Sequence, residues 1–168
     1  MAVGRRLAGQ GAFWGADVGP NPTDRAKKGT KVNLLVEGQG GPLAVQTAPA
    51  NWPDAHCLED VLNSIVVERP DEDEHLLLDK GYDNPTGRQT AADFQYTPHI
   101  QAIRPETRKR QPGRRKPRRW VVERTFSWLR KCRGLLVRYS KNAGNYLGDL
   151  QLACALLWYR RLRRLVRK

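Results

Sequence analysis

The chain has 168 residues and a formal net charge of +13, a length that suits one domain and is sufficient to bury a core. No apolar run approaches the roughly 18 residues that a membrane span needs, and the three cysteines lack the close spacing of a zinc site or disulfide framework. We therefore expect no membrane association and a reducing, cytoplasmic environment. The excess of positive charge predicts a polyanionic partner, most simply nucleic acid.

The first half of the chain predicts a hairpin followed by a helix. Residues 1–18 are rich in glycine and predict an irregular segment. Two apolar runs, VNLLVEG (32–38) and PLAVQTAPA (42–50), are joined by GQGG, which is the pattern of a β-hairpin. Apolar residues then repeat at helical spacing over 58–65, with Asp54 as a candidate N-cap.

Two strands and a helix are predicted next. The run Leu76–Leu78 predicts a short buried strand, and Asp79 follows it before a Lys-Gly turn. Pro85 suits the start of a helix that continues over TGRQTAADFQ. The segment PHIQAIRP (98–105) predicts another strand. Strands that alternate with helices around a hairpin favour an α/β fold, a mixed sheet with helices on its faces.

The C-terminal part predicts a linker and two helices. Residues 105–119, PETRKRQPGRRKPRR, carry three prolines and eight basic residues without an apolar anchor, which predicts a flexible basic linker. Residues 118–133 predict a helix, and the last helix is predicted from Tyr146 onwards. No internal repeat is found.

The charge is divided unevenly along the chain. Residues 1–103 carry 9 Lys and Arg against 14 Asp and Glu, a net charge of −5, whereas residues 104–168 carry 21 against 3, a net charge of +18. This division indicates a nucleic-acid-binding surface in the C-terminal third. The alternative is a basic tail of ribosomal type, or a composition without a specific partner.

Two carboxylates are candidates for chemistry. Asp79 lies at the carboxyl end of a predicted strand, where open α/β sheets place ligands and catalytic groups; the alternative is a turn-forming aspartate. Glu123 is the only carboxylate between Thr107 and Gly148. Helical spacing places it on one face with Arg119 and Arg130, and the alternative is an ion pair with Arg119 worth a few tenths of a kcal/mol.

Carboxylates from a strand end and a helix on a basic surface suit metal-dependent phosphodiester chemistry. Two Mg²⁺ ions about 4 Å apart activate a water or a 3′-hydroxyl and stabilise the leaving oxygen. Neighbouring arginines would hold DNA phosphates beside the metal ions.

Several motifs resemble those of bacterial insertion-sequence transposases of the DDE class, in the branch related to insertion sequence five. They occur in the family's order from about Gly19 to Leu162. They are GPNPTDRAKKGTKVNLLVEGQGGPLAV, the AN-x-x-D of Ala50–Asp54, LLLDKGYDN, RRWVVERTFSWLRKCRGLLVRY and YLGDLQLACALLWYRRL.

The resemblance implies an RNase H-like fold and an Asp-Asp-Glu triad that binds Mg²⁺, with Mn²⁺ as a substitute, at a two-metal site. Asp79 then matches the second acid and Glu123 the third. In the family's Tyr-x2-Arg-x3-Glu-x6-Lys signature, Arg119 and Glu123 match, Lys116 replaces the tyrosine and Arg130 replaces the lysine. The residues expected to contact DNA are Arg114, Arg115, Lys116, Arg118, Arg119, Arg130 and Lys131.

The N-terminal part departs from the family pattern. The first acid is expected on a strand before GPNPTDR, and residues 1–18 supply neither a predicted strand nor a suitable acid, because Asp17 and Asp24 lie among turn residues. We therefore expect an N-terminally truncated RNase H-like domain over residues 19–168, with the basic linker inside it.

Three functions follow as hypotheses. The first is a transposase that binds the double-stranded DNA of transposon ends, cleaves it with Mg²⁺ and transfers strands, as a homodimer or together with a full-length transposase. The second is a truncated, inactive remnant that only binds DNA. The third is a basic RNA-binding protein, for which the Asp79 and Glu123 motifs would be coincidental.

Overall fold

The computed structural model describes residues 1–7, 15–22, 25–68, 74–100 and 120–167. Its helices and strands follow in this order: β1 Ala2–Leu7, β2 Gly19–Pro20, β3 Lys28–Val36, β4 Pro42–Pro49, α1 Asp54–Asn63, β5 Glu74–Leu78, α2 Pro85–Asp93, β6 Tyr96–Ile100, α3 Trp120–Leu129 and α4 Ala143–Val166.

The strands form one mixed sheet in the order β4-β3-β1-β5-β6. Strand β3 is antiparallel to both β1 and β4, whereas β1, β5 and β6 are parallel to one another. The short strand β2 pairs with Lys28 and Gly29 at the start of β3. The predicted hairpin and the predicted mixed sheet are both confirmed.

Strand β1 corrects the prediction that residues 1–18 are irregular. It lies in the centre of the sheet, where Ala2 pairs with Val36 of β3 on one side and with Leu77 of β5 on the other. The sequence AVGRRL has weak strand character, since it combines a glycine with two arginines. Pairing with strands on both sides outweighs that local preference.

Each face of the sheet is covered by two helices, as predicted. Helices α3 and α4 pack on one face, and α1 and α2 pack on the other. The first core includes Ala2, Val32, Leu34, Val36, Val121, Phe126 and Leu150. The second includes Val3, Leu35, Leu58, Val61, Leu76, Leu78 and Tyr82. Alternate residues of β3 thus enter opposite cores, which is the period-2 pattern of a strand buried on both faces.

The β3–β4 turn is formed by the GQGG segment and contacts α3. Gly40 has φ of +94°, a backbone conformation that favours glycine. The hydroxyl of buried Thr125 donates a hydrogen bond of 2.7 Å to the carbonyl of Gly40. A side chain at Gly40 would place its Cβ 3.0 Å from Thr125 Oγ1, so the turn also depends on glycine for this close approach.

The predicted N-cap role of Asp54 is wrong. Pro53 occupies the N-cap position of α1 without a side-chain capping bond. Asp54 instead forms a buried ion pair with Lys31 of β3, with Nζ and Oδ1 2.7 Å apart. Asp54 is the first residue inside the helix, and its side chain reaches the neighbouring strand.

Two element boundaries differ from prediction. Strand β6 begins at Tyr96, two residues before the predicted start, and positions 101–105 of the predicted strand lie outside the described residues. Helix α3 ends at Leu129 rather than at 133, and a 3₁₀ turn follows at Arg133–Leu135. The predicted linker over 105–119 also lies outside the described residues.

Helix α4 begins at Ala143, three residues before the predicted start. Asn142 is its N-cap, and Asn142 Oδ1 accepts a hydrogen bond of 2.8 Å from the N–H of Gly144. In the part of the chain that the structure describes, no helix combines the length and apolar character required to cross a membrane.

The cap makes a testable contribution to stability. We expect Asn142→Ala to lower the free energy of unfolding by about 1 kcal/mol, because one N–H at the start of α4 loses its acceptor. Urea denaturation measures the change. The control Asn145→Ala alters an exposed residue in the first turn of the same helix and should change stability by less than about 0.5 kcal/mol. Equal losses in both variants would contradict the capping role.

Candidate functional site

Asp79 lies where strand β5 ends. It is half-buried and precedes a 3₁₀ turn at Lys80–Tyr82, and its Oδ1 accepts a hydrogen bond of 2.7 Å from the N–H of Lys80. The side chain thus has the geometry of a turn former at the carboxyl edge of the sheet. The turn-forming role is therefore observed, and the ligand-binding role at this edge of the sheet stays a prediction.

Glu123 lies on an exposed flank of α3. The helix packs on the sheet through Val122, Thr125 and Phe126, which are buried, whereas Glu123 is exposed. Successive helical residues are about 100° apart, so Glu123 and Arg124 project from opposite flanks of this packed stripe. Arg124 reaches the β3–β4 turn, where its Nη2 donates to the carbonyl of Gln39. Glu123 therefore projects away from that turn.

Strand β1 lies between the two candidate carboxylates. The parallel pairing of Ala2 with Leu77 places Gly4 beside Asp79 by register. A Cβ atom on Gly4 would lie 2.7 Å from Cγ1 of Val122, the residue before Glu123. Asp79 therefore lies beside Gly4 in the sheet by register, and Val122, the residue before Glu123, packs over the same glycine.

Two further acids, Asp17 and Glu37, are held by structural partners, and Asp24 lies outside the described residues. Asp17 has φ of +59°, and its Oδ2 accepts a hydrogen bond of 2.6 Å from the hydroxyl of Thr47. Glu37 pairs with Arg161 at 2.6 Å. Partial burial opposes ionisation of Glu37, but Arg161 and the N–H groups of Gln39 and Gly41 outweigh it and lower its pKa. Both side chains therefore have structural partners.

The side-chain oxygens available near this part of the sheet determine whether it can bind a divalent metal ion. Mg²⁺ prefers carboxylate oxygens and is often held by one or two carboxylates together with substrate phosphates, which fits Asp79 and Glu123. The sequence of β1, AVGRRL, contributes no acid. Within the described residues, no group of three or more His, Cys, Asp or Glu side chains is placed to hold a metal ion. The donor types of Asp79 and Glu123 thus suit Mg²⁺, and the two-metal centre stays a prediction.

The predicted DNA-binding residues are only partly described. Arg130 and Lys131 directly follow α3 and are both exposed. Lys131 lines a cavity between α3 and α4, together with Arg124. The remaining predicted contacts lie outside the described residues: Arg114, Arg115, Lys116, Arg118 and Arg119.

Sequence reasoning missed the role of Arg124. Its guanidinium carbon lies 4.5 Å from the ring centroid of Trp120 and 4.9 Å from that of Trp128. These three residues are spaced four apart, which places them in a row on one flank of the helix. That i, i+4, i+8 alternation of tryptophan and arginine was a readable signal for a cation held between aromatic rings.

It also missed a histidine pair. Parallel pairing of β5 and β6 brings Nε2 of His99 to 2.9 Å from Nδ1 of His75. The two residues are 24 apart in the chain, so only the strand register could have predicted the contact.

Two of the three cysteines lie in unreactive surroundings. Cys57 and Cys154 are buried, and all three cysteines are free thiols. Burial raises the pKa of Cys57, and burial together with nearby Cys132 raises the pKa of Cys154 to about 12. A thiol with so high a pKa is a poor nucleophile at neutral pH, so neither buried cysteine is a candidate for chemistry.

A family model described as the transposase DDE domain matches residues 3–158, which include β1, Asp79 and Glu123. The chain belongs to the DDE transposase family. This membership also accounts for the sheet order and flanking helices, which agree with the expected RNase H-like fold.

Two relatives carry names of the same kind. A protein of Burkholderia cepacia, named as a transposase for insertion sequence element IS402, is 34% identical over 170 residues, covering 95% of this chain and 77% of the relative. A protein of Brucella ovis, named as a transposase for insertion sequence element IS6501, is 27% identical over 135 residues, covering 78% of this chain and 98% of the relative. The predicted insertion-sequence transposase family is therefore confirmed.

Proposed function

We propose that this DDE transposase family member binds the DNA ends of an insertion sequence and cleaves and joins phosphodiester bonds during transposition. The proposed site for this chemistry is the part of the sheet around Gly4, beside Asp79 and beneath the part of α3 that carries Glu123. The observation that carries the proposal is the register of β1 with β5, combined with the contact between Gly4 and Val122.

Asp79 and Glu123 are held in place by different parts of the fold. Asp79 is fixed at the end of β5 by the hydrogen bond from the N–H of Lys80. Glu123 is carried by a helix whose buried stripe is anchored on β1 and β3. A site built on a strand end and a packed helix holds its side chains more rigidly than one built on loops.

The proposed cofactor is Mg²⁺, or Mn²⁺ as a substitute, bound through Asp79 and Glu123. Bound metal would supply activation of a water or a 3′-hydroxyl and stabilisation of the leaving oxygen. The protein's own part is to position the two carboxylates and to hold the DNA phosphates with cations such as Arg130, which lies at i+7 from Glu123.

The proposed substrate is double-stranded DNA, bound mainly through its phosphates. The net charge of +18 over residues 104–168 supports an electrostatic contribution that does not depend on base sequence. The natural site of action would be the bacterial cytoplasm, where the chromosome lies. A homodimer or a complex with another transposase would allow two DNA ends to be held together.

Cleavage of labelled duplex DNA that carries the ends of the encoding element tests the proposal. We expect Mg²⁺-dependent nicking that Glu123→Gln reduces by at least about 100-fold, because a metal-binding carboxylate becomes a neutral amide. The control Glu59→Gln removes an exposed carboxylate of α1, on the opposite face of the sheet, and should leave nicking unchanged. Binding of the same DNA should persist in both variants.

A second candidate function is DNA binding without cleavage. It is favoured by one observation, the absence of any carboxylate from the central strand Ala2–Leu7. Under this hypothesis the chain binds the duplex but does not nick it, even when Mn²⁺ replaces Mg²⁺. That outcome would overturn the cleavage proposal and leave DNA binding in place.

A further inference from the structure

A cavity of about 390 Å³ lies between the β3–β4 turn and helices α3 and α4. Its size falls within the range of about 300–1,000 Å³ that is usual for ligand sites. Its cationic lining residues are Arg124, Lys131, Arg160, Arg161 and Arg164. No acidic side chain belongs to the described lining, so the cavity concentrates positive charge.

Arg124 is fixed at one wall of this α3–α4 cavity. Its guanidinium stacks between the rings of Trp120 and Trp128, and its Nη2 donates to the carbonyl of Gln39. The Nε atom of Arg124 is buried and has no hydrogen-bond partner among the described residues. A buried donor without an acceptor is costly, and a ligand oxygen that enters the cavity would supply one.

Arg161 is fixed at the opposite wall. It pairs with Glu37 at 2.6 Å, and its guanidinium carbon lies 5.1 Å from the ring centroid of Trp158. The indole N–H of Trp158 in turn donates a hydrogen bond of 2.6 Å to the carbonyl of Pro42. Side chains held in this way lose little conformational entropy when an anion binds.

The remaining cations provide the excess charge. Lys131, Arg160 and Arg164 are exposed and border the cavity, and Glu37 is already paired with Arg161. Guanidinium groups match the geometry of phosphate oxygens, and an ammonium adds a point charge. Arg124 and Arg161 are thus fixed in the cavity and are surrounded by exposed cations. This arrangement indicates a site for a phosphorylated polymer rather than for a neutral ligand.

The cavity is separate from the proposed cleavage site. Arg124 and Trp128 line it from one flank of α3, whereas Glu123 projects from the other. The β3–β4 turn, which forms the floor of the cavity, follows Val36, whereas Asp79 follows β5, two strands away from β3 in the sheet, and is level by register with Leu34. DNA held here would therefore be in addition to the phosphates beside Asp79.

We infer that the α3–α4 cavity binds backbone phosphates of double-stranded DNA, as a second contact away from the cleavage site. This inference rests on the proposed DNA-binding function. Because its donors are guanidinium and ammonium groups without a base-reading element, the contact is independent of base sequence.

Two double variants with the same loss of charge test it. Lys131→Ala/Arg164→Ala removes two cations of the cavity, and Arg133→Ala/Arg163→Ala removes two neighbouring exposed cations that do not line it. Binding of a fluorescent duplex is measured by anisotropy without Mg²⁺ at several salt concentrations. We expect the cavity variant to weaken binding roughly tenfold and to reduce the slope of log K against log salt by about 2, with a smaller change in the control.

Equal effects in the two variants would overturn the inference, because the cations would then act only through net charge. A second arm measures the melting temperature with inorganic phosphate. If phosphate stabilises the parent protein but not the cavity variant, while the duplex affinities of the two are equal, the cavity binds free anions and not DNA. Nicking is not measured in either arm, so failure here is distinct from failure of the cleavage proposal.

Discussion

Arg138→Met is expected to lower the free energy of unfolding by about 3–5 kcal/mol. Arg138 is only 2% exposed, although it carries a full charge. Its Nη1 donates a hydrogen bond of 2.6 Å to Thr30 Oγ1, and its other donors reach backbone carbonyls on both sides. Those carbonyls belong to Ala16, Asp17, Ser140 and Lys141.

Arg138→Met is expected to cost so much stability because it leaves buried hydrogen-bond acceptors without a donor. Methionine fills a similar volume but donates no hydrogen bond, so the four carbonyls and the Thr30 hydroxyl lose a charged donor in a buried place. The guanidinium carbon also lies 5.6 Å from the ring centroid of Tyr146, and burial raises the pKa of that tyrosine, so the ring stays neutral beside the cation. Residues 15–17 and 140–142 would lose their shared anchor to β3.

Urea denaturation measures the loss, with Arg133→Met as the matched control. Arg133 is exposed and lies five residues earlier, so its replacement should change stability by less than about 0.5 kcal/mol. A loss below about 1 kcal/mol for Arg138→Met would show that water replaces the guanidinium without a substantial cost.

Asp54→Asn is expected to lower the free energy of unfolding by about 3 kcal/mol. Lys31 and Asp54 have side chains that are only 4% and 6% exposed, and they form an ion pair between β3 and the start of α1. Removal of one charge leaves the ammonium of Lys31 buried without its counter-ion, which is more costly than the loss of a surface pair.

The double variant Lys31→Met/Asp54→Leu separates this cost from the value of the pair itself. We expect it to be more stable than Asp54→Asn, since no buried charge then remains unpaired. Asp60→Asn, at an exposed position of the same helix, serves as the control and should have little effect. The double variant could instead be less stable than both Asp54→Asn and Asp60→Asn. The ion pair would then contribute more to stability than the burial of its two charges costs.

The elements predicted correctly are those specified by local pattern. The hairpin follows from two apolar runs around GQGG, and α3 follows from the helical repeat of Val122, Phe126 and Leu129. Local patterns also placed Asp79 at a strand end and Glu123 on a helix. These features need only neighbours along the chain, so the sequence carries them directly.

The features that were missed depend on contacts between distant parts of the chain. Strand β1 has a poor local preference and is defined by its partners on both sides. The pairs Lys31–Asp54 and His75–His99 exist because strand register and helix packing bring residues 23 and 24 positions apart together. The α3–α4 cavity was missed for the same reason, because the β3–β4 turn, α3 and α4 come together to form it.

The central position of β1 has a consequence for the tendency of the protein to aggregate. Strands β3 and β5 are joined in the sheet only through β1 in the described part of the chain. Loss of its pairing would expose two unpaired strand edges, β3 with its leucines and valines and β5 with its three leucines, and such edges are templates for association with other chains. We therefore expect proteolytic removal of the first seven residues to produce aggregation rather than a smaller soluble domain, whatever its effect on DNA cleavage.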